Sequence, residues 1–340
     1  MKKLNTQSRI SGGTSKPKTY SLKCSEDSRS PMSMLEEGCT AFSVSGQGTY
    51  TGFPLIGGTS DNSWTFRASL VYRVPEKGYA YLSAETSEKG ILRAMNDRGF
   101  CFSRNAIFPN TEWIGTLGDE NGLTNEQFAL KLATECATVE DAISLLQNTT
   151  RHSSVWKSFI FADSYGKCQL VQVTPDDFEL LNPDAQGWAS VTNHFLSDKL
   201  KKYDHDGTGK EDISYWQSSW TRYTRTMQLR KTMKNKKADP YVLMDFLSDT
   251  ENLDVEQGVY QSICSHGKDN GTIFGFILQP ALKTFWYCYG PPDGKIILNQ
   301  GTWGRFVPFA VPQLQPGQYV TEEGVVSPEY PSPFAQEHLR

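Results

Sequence analysis

Gly38-Cys39-Thr40-Ala41-Phe42-Ser43-Val44 puts a small residue and a thiol where a polar leader gives way to the first strand-like run. Aromatic and β-branched residues alternating with small ones, with glycines on either side, mark a strand with Cys39 at its head. Cutting the Gly38–Cys39 bond would leave one residue with both a nucleophilic sulfur and a free α-amine. A thiol attacks as its thiolate. An α-amine with an ordinary pKa of ~7.7–8.0 lies close to a thiol at ~8.5, so it can act as the base near neutral pH. In the uncut chain the same sulfur can attack the Gly38 carbonyl, which a glycine leaves unshielded. Taken alone, the tripeptide Gly-Cys-Thr equally describes a buried cysteine at a strand start.

Upstream, residues 1–37 are rich in Ser, Lys and Thr without periodic apolar signal, the composition of a flexible leader. The expected organisation is a leader or propeptide over 1–38 and one catalytic domain over 39–340, with Met32 or Met34 as alternative starts. Downstream, Ala41–Val44, Gly52–Gly58, Thr65–Val74, Tyr79–Ala84 and Gly99–Ser103 read as short strands separated by Gly and Pro turns. Helical spacing appears over Thr124–Cys136 and Thr138–Gln147. Strands return at Ser158–Ala162 and Cys168–Val173. Helices are expected at Gln217–Lys234 and Pro240–Ser248, then strands at Thr272–Gln279, Thr284–Tyr289 and Lys295–Leu298. Strands first, two helix pairs and strands last predict an α+β domain with mostly antiparallel sheets.

Composition excludes several classes. The 340 residues are 38% apolar and 21% charged, which is globular, and the net charge of −4 supplies no attraction for nucleic acid;. No apolar run approaches the ~18 residues a membrane span needs. The start Met1-Lys2-Lys3-Leu4 has no apolar centre behind it, so the expected location is cytoplasmic. Seven cysteines fall without CxxC pairing, which argues against a disulfide framework or zinc site;. Cys264-Ser265-His266-Gly267 invites a metal or dyad reading but lacks further ligands at metal spacing in the sequence, so no metal and no cofactor are expected. His194 reads as structural rather than as the partner of Cys101, Cys168 or Cys264.

Gly38–Val44, followed by Gly57-Gly58-Thr59-Ser60-Asp61-Asn62, resembles the start of the mature chain in the acyl-coenzyme A:6-aminopenicillanic acid acyltransferase family, peptidase family C45. These enzymes are relatives of the choloylglycine hydrolases in the N-terminal-nucleophile superfamily. Three later segments keep the family order: Arg93-Ala94-Met95-Asn96-Asp97-Arg98-Gly99-Phe100, Val191-Thr192-Asn193-His194-Phe195, and Ser218-Ser219-Trp220-Thr221-Arg222-Tyr223-Thr224-Arg225. The resemblance implies a four-layer αββα sandwich and an autoproteolytically activated cysteine amidohydrolase or acyltransferase acting on a linear amide. It implies Gly38–Cys39 as the cleavage site and Cys39 as nucleophile. Asn193 would stabilise the oxyanion, with Asn105 as a second contact. Asp61 would hold the α-amine and thiol, and Arg222 would stand beside the nucleophile. Without the resemblance, Asn193 reads as a turn residue, Asp61 as a helix cap or turn residue and Arg222 as a solvated helix charge.

One departure from the relatives stands out, because they commonly carry Arg or Gln where this chain has Gly58. The expected partner is a small N-acyl amide or acyl thioester, with no nucleic acid and no membrane; a homo-oligomer is left open. A dipeptidase-like enzyme and a ligand-binding protein without turnover are the alternatives. Phe53, Trp64, Trp113 and Trp220 are candidates for lining an apolar acyl pocket.

Overall fold

In this computed structural model the described residues are 38–66, 68–86, 89–204, 213–252, 261–267, 270–294, 304–317 and 319–327. The strands, in chain order, are β1 (Gly38–Val44), β2 (Leu55–Ser63), β3 (Ala68–Arg73), β4 (Tyr81–Thr86), β5 (Gly90–Asn96), β6 (Cys101–Ala106) and β7 (Lys157–Ala162). They continue with β8 (Cys168–Val173), β9 (Phe178–Leu181), β10 (Trp188–Val191), β11 (Asn270–Gln279), β12 (Thr284–Tyr289) and β13 (Phe306–Ala310). The helices are α1 (Asn125–Glu135), α2 (Val139–Asn148), α3 (Ile213–Thr232) and α4 (Pro240–Leu247). One sheet has the order β10-β1-β2-β11-β12-β13, and the other runs β3 to β9 as a meander. Every pairing within them is antiparallel.

Alternation along the strands sorts side chains into layers, because successive residues point to opposite faces. Ala41 joins Ile56, Phe274, Phe276, Met95 and Ile160 in a core shared by the two sheets. Its neighbours Phe42 and Val44 point outward and pack with Met233, Leu243 and Phe246 beneath α3 and α4. On the second sheet Phe102, Phe159 and Phe161 face outward against Phe128, Leu132, Val139 and Leu146 of α1 and α2. The result is helices, sheet, sheet, helices, the four-layer αββα sandwich the resemblance implies.

Local signals place the helices where the spacing predicts. Thr124 and Gln127 form a capping box that opens α1, and Thr138 and Asp141 do the same for α2;. Asp239 caps α4, whose first residue is Pro240;.

The strands were harder to read from local pattern. The stretch predicted over Gly52–Gly58 is β2 at Leu55–Ser63, running through Gly57, Gly58 and Asp61, residues that locally favour turns;. Partners on both sides explain this: a Cβ at Gly57 would lie 3.2 Å from Leu243 and Phe42, so close packing there selects glycine. The sequence pattern does not show β5, because the charged Arg93 interrupts its apolar run, or β13, because it contains Pro308. Both are tolerated for physical reasons: Arg93 is buried with polar partners, and Pro308 lies on an edge strand;. β9 and β10 are only four residues each and were also missed. The leader and the strand expected at Lys295–Leu298 lie outside the described residues. Among the described residues no helix is long and apolar enough to cross a membrane.

Candidate active site

Register brings the head of β1 to its neighbours. Gly38 pairs with Asp61 and Cys39 with Ser60 on β2. On the other side Ala41 pairs with Val191 of β10, so continuing the antiparallel register by two residues carries Asn193 to Cys39. The contact is direct, with the Cys39 N–H donating to Asn193 Oδ1 at 3.0 Å. Cys39 shares the parity of Ala41 and therefore faces the layer between the sheets; its Sγ lies 3.9 Å from Ser60 Oγ;.

Arg222 reaches the same point from α3, which packs on β1 and β10. Its Nη2 donates to Asn193 Oδ1 at 2.7 Å, and its Nη1 donates to the Cys39 carbonyl at 2.6 Å and Thr40 Oγ1 at 3.0 Å. Asn193 Oδ1 thus takes two donors while Nδ2 donates to the Ala106 carbonyl at 2.9 Å, which fixes the amide's orientation. The Asn193 backbone N–H is held by Ser219 Oγ at 2.8 Å. His194 is fully buried and stacks on Trp220 with ring centroids 4.1 Å apart. Burial first and the Arg222 cation second push its pKa down to about 3. A histidine kept neutral in this way, with Nδ1 beside Ser219 Oγ at 2.7 Å, is a packing element of this wall.

Asp61 is fully buried. Thr272 Oγ1 accepts the Ser265 N–H at 2.8 Å and donates its own proton to Asp61 Oδ1 at 2.6 Å. A bulge between Thr272 and Phe274 on β11 keeps Thr272 across from Asp61 before the ladder resumes;. The second oxygen, Oδ2, has no hydrogen-bond partner among the described residues. Burial pushes the carboxyl up to about 7, with Arg222, the Thr272 hydrogen bond and Arg93 pulling the other way;.

The opposite sheet supplies Asn105 from β6, which lies over β1 and β2. Its Nδ2 donates to the Val191 carbonyl at 3.4 Å, bridging the sheets. Its Oδ1 accepts from Arg93 Nη2 at 3.2 Å and from Ser103 Oγ at 3.4 Å. Arg93 also donates to the carbonyls of Leu92 and Arg104 and lies 5.0 Å over the Phe276 ring. That ring accounts for Gly58: a Cβ there would fall 2.7 Å from Phe276 and 2.6 Å from the Thr40 carbonyl. The space a side chain at 58 would occupy is therefore filled by Phe276, with the Arg93 cation over it from the other sheet.

Cys39, Asp61, Asn193 and Arg222 are thus gathered around the head of β1, and Asn105 approaches them through the Val191 carbonyl. Sequence reasoning missed Ser60, Arg93, Ser219 and Thr272. Ser60, Arg93 and Ser219 lie in the segments that carry the resemblance, and Arg93 also stands out as a charge inside an apolar segment. The four aromatic candidates stand in different surroundings: Trp113 is edge-on to Tyr203, Trp220 is on His194, Trp64 donates to the Gly267 carbonyl, and Phe53 is exposed.

The family model for Acyl-coenzyme A:6-aminopenicillanic acid acyl-transferase matches residues 54–293, more than half of the chain and beginning after Cys39. No curated protein matches in sequence. Among solved structures, a mutant of the conjugated bile acid hydrolase from Clostridium perfringens is similar with a TM-score of 0.55 at 15% identity, covering 82% of this chain and 93% of that one. A second variant of that hydrolase gives 0.52 at 14% identity, covering 82% and 94%. Likeness at such low identity speaks for the fold alone.

Proposed function

The chain belongs to the acyl-coenzyme A:6-aminopenicillanic acid acyl-transferase family, and from that membership we propose an enzyme that cleaves or transfers the acyl group of a linear amide through a thioester on Cys39. In the precursor, Sγ attacks the Gly38 carbonyl, the S–C bond forms, the C–N bond breaks and the departing Cys39 nitrogen takes the proton. Water then hydrolyses the thioester, leaving a carboxylate on Gly38 and a free thiol and α-amine on Cys39. Residues 1–38 are the released segment.

In the mature enzyme the α-amine accepts the thiol proton as Sγ attacks the substrate carbonyl. The Asn193 amide nitrogen carries two protons, of which Ala106 takes one, so the other is available to a developing oxyanion;. Asn105 is the second donor, aimed by Arg93 and Ser103. The amine product leaves with the proton from the α-ammonium, and water or a second amine resolves the thioester. Arg222 holds the Cys39 carbonyl and the Asn193 oxygen throughout.

Asp61 is the observation that carries this reading. A fully buried carboxylate oxygen without a donor is costly, and it belongs to the residue paired with Gly38 across the strands;. Cleavage at Gly38–Cys39 would create an ammonium one residue along the strand from Asp61's register partner, a cation that would favour the charged carboxylate;.

Intact-mass measurement tests the proposal. Wild-type protein should lack residues 1–38, whereas Cys39→Ala should keep them. The processed form should release amine from N-acyl amides and add hydroxylamine to the acyl group as a surrogate acceptor. An unprocessed and inert wild type would sink the reading.

A further inference from the structure

We infer that Cys264, His266 and Asp293 form a binding site for a divalent transition-metal ion, with zinc(II) the best fit. The inference does not rest on the chemistry proposed for Cys39. The sequence offered only the Cys-x-His pair; the tertiary structure adds Asp293 from the connection that follows β12. Cys264 Sγ lies 3.7 Å from His266 Nε2, and Asp293 Oδ2 lies 3.0 Å from the same nitrogen. All three donor atoms fall within 4.8 Å of one another. Cys264 is fully buried, and the His266 and Asp293 side chains are 11% and 5% exposed.

The directions of approach separate a metal site from a nucleophilic triad. A relay places the carboxylate on one ring nitrogen and the nucleophile on the other. Here both converge on Nε2. One imidazole nitrogen offers a single proton or a single lone pair, so the sulfur and the carboxylate must share it;. An ion between the three atoms serves all of them. Tetrahedral zinc with bonds of ~2.3 Å to sulfur and ~2.0–2.1 Å to nitrogen and oxygen spaces its ligands about 3.3–3.6 Å apart. The observed 3.7 and 3.0 Å lie close to those edges. Thiolate, carboxylate and neutral imidazole together carry two negative charges, which a divalent ion balances, with a water completing the tetrahedron. Binding releases the thiol proton to solvent.

Backbone turns present the ligands without the ion. Cys264 N–H is held by the Asp249 carbonyl at 2.9 Å, Gly267 N–H by Asn270 at 2.7 Å, and Gly294 N–H by Pro291 at 3.2 Å. The same segment supports the other site, since the Ile263 carbonyl accepts from Thr59 Oγ1 and the Ser265 N–H donates to Thr272, the residue that donates to Asp61. The ion would fasten that segment to Asp293.

The test uses the full chain and zinc(II) alone, in chelator-competed titration, together with cobalt(II) substitution. The expected result is one zinc per chain, a sulfur-to-cobalt charge-transfer band and a melting temperature that rises with zinc. His266→Ala and Asp293→Asn should weaken zinc binding roughly 100-fold or more, and Cys264→Ser should abolish the charge-transfer band. The wild-type cobalt spectrum keeps the test decisive even if a variant does not fold. Wild-type protein without the band, or zinc binding equal in wild type and His266→Ala, would overturn the site. None of these readouts involves acyl transfer, so its failure would leave this inference intact.

Discussion

Thr272 donates its hydroxyl proton to Asp61 at 2.6 Å across 211 positions of sequence, and the other Asp61 oxygen has no such donor among the described residues. The carboxyl is held near pH 7 against an ordinary value of 3.8. A folded state that keeps this proton binds more protons than the unfolded chain between about pH 4 and 7. The uncut form is therefore most stable, as far as Asp61 is concerned, below pH 4 and loses stability as pH rises through 7. Denaturation of Cys39→Ala with and without Asp61→Asn should differ by a slope of at most about 1.4 kcal/mol per pH unit across that window. In the processed protein the α-ammonium should pull Asp61 down and flatten the difference. A slope that survives processing unchanged would contradict the role given to Asp61.

Arg222 and Asn193 share a contact of 2.7 Å, and the proposed acyl transfer uses both. Asn193→Ala is expected to lower kcat about 10²- to 10³-fold, the usual loss for one oxyanion donor. Arg222→Lys keeps the charge but not the two-pronged geometry, and should also lower kcat. The double variant should lose less than the sum of the two, because each change disables the same amide. Full additivity in steady-state kinetics would separate the two roles.

Arg93 is expected to be a positioning residue for Asn105. Arg93→Met keeps the length and removes the donor to Asn105 Oδ1, and should lower kcat about 10-fold, the loss of roughly 1.4 kcal/mol of hydrogen bonding to a charged group. KM should change little. Asn105→Ala should then cost less in the Arg93→Met background than in the wild type, because part of its alignment is already lost. A large rise in KM with kcat intact would place Arg93 in substrate binding instead.

Gly58→Ala should destabilise the chain by about 1–3 kcal/mol, as overpacking does. Denaturant midpoints report it. Shrinking Phe276 should not rescue the variant, since the Thr40 carbonyl also lies 2.6 Å from the new methyl. Rescue by Phe276→Leu would mean that the aromatic ring alone sets the glycine.

His194→Gln should leave the pH profile of kcat/KM unchanged above about pH 4. The histidine is already neutral there, with its pKa lowered to about 3 from 6.5. Its contribution to stability is present above pH 6.5 and is lost as pH falls toward 3. An acidic limb near pH 6.5 that vanishes in the variant would instead make it a catalytic base.

What the chain determined locally is the part governed by short-range physics. Thr124 and Thr138 announce two helices, because a cap and a 3.6-residue stripe lie within a few positions of each other. Alternation in the Gly38–Val44 stretch places Cys39 at the head of a strand, whereas Asn193 and Arg222 were singled out only by the resemblance to a known family. What only the tertiary structure decided involves separations that no window of sequence spans. β2 is a central strand despite Gly57, Gly58 and Asp61, because Leu243, Phe42 and Phe276 close on it from both faces. Arg93 meets Asn105 and Phe276 only after two sheets stack, and Asp61 acquires its near-neutral carboxyl only through burial. Cys264 and His266 remain an unremarkable pair until the chain brings Asp293 back to the same nitrogen. Desolvation and cross-strand register belong to the packed chain as a whole, and local pattern cannot carry them.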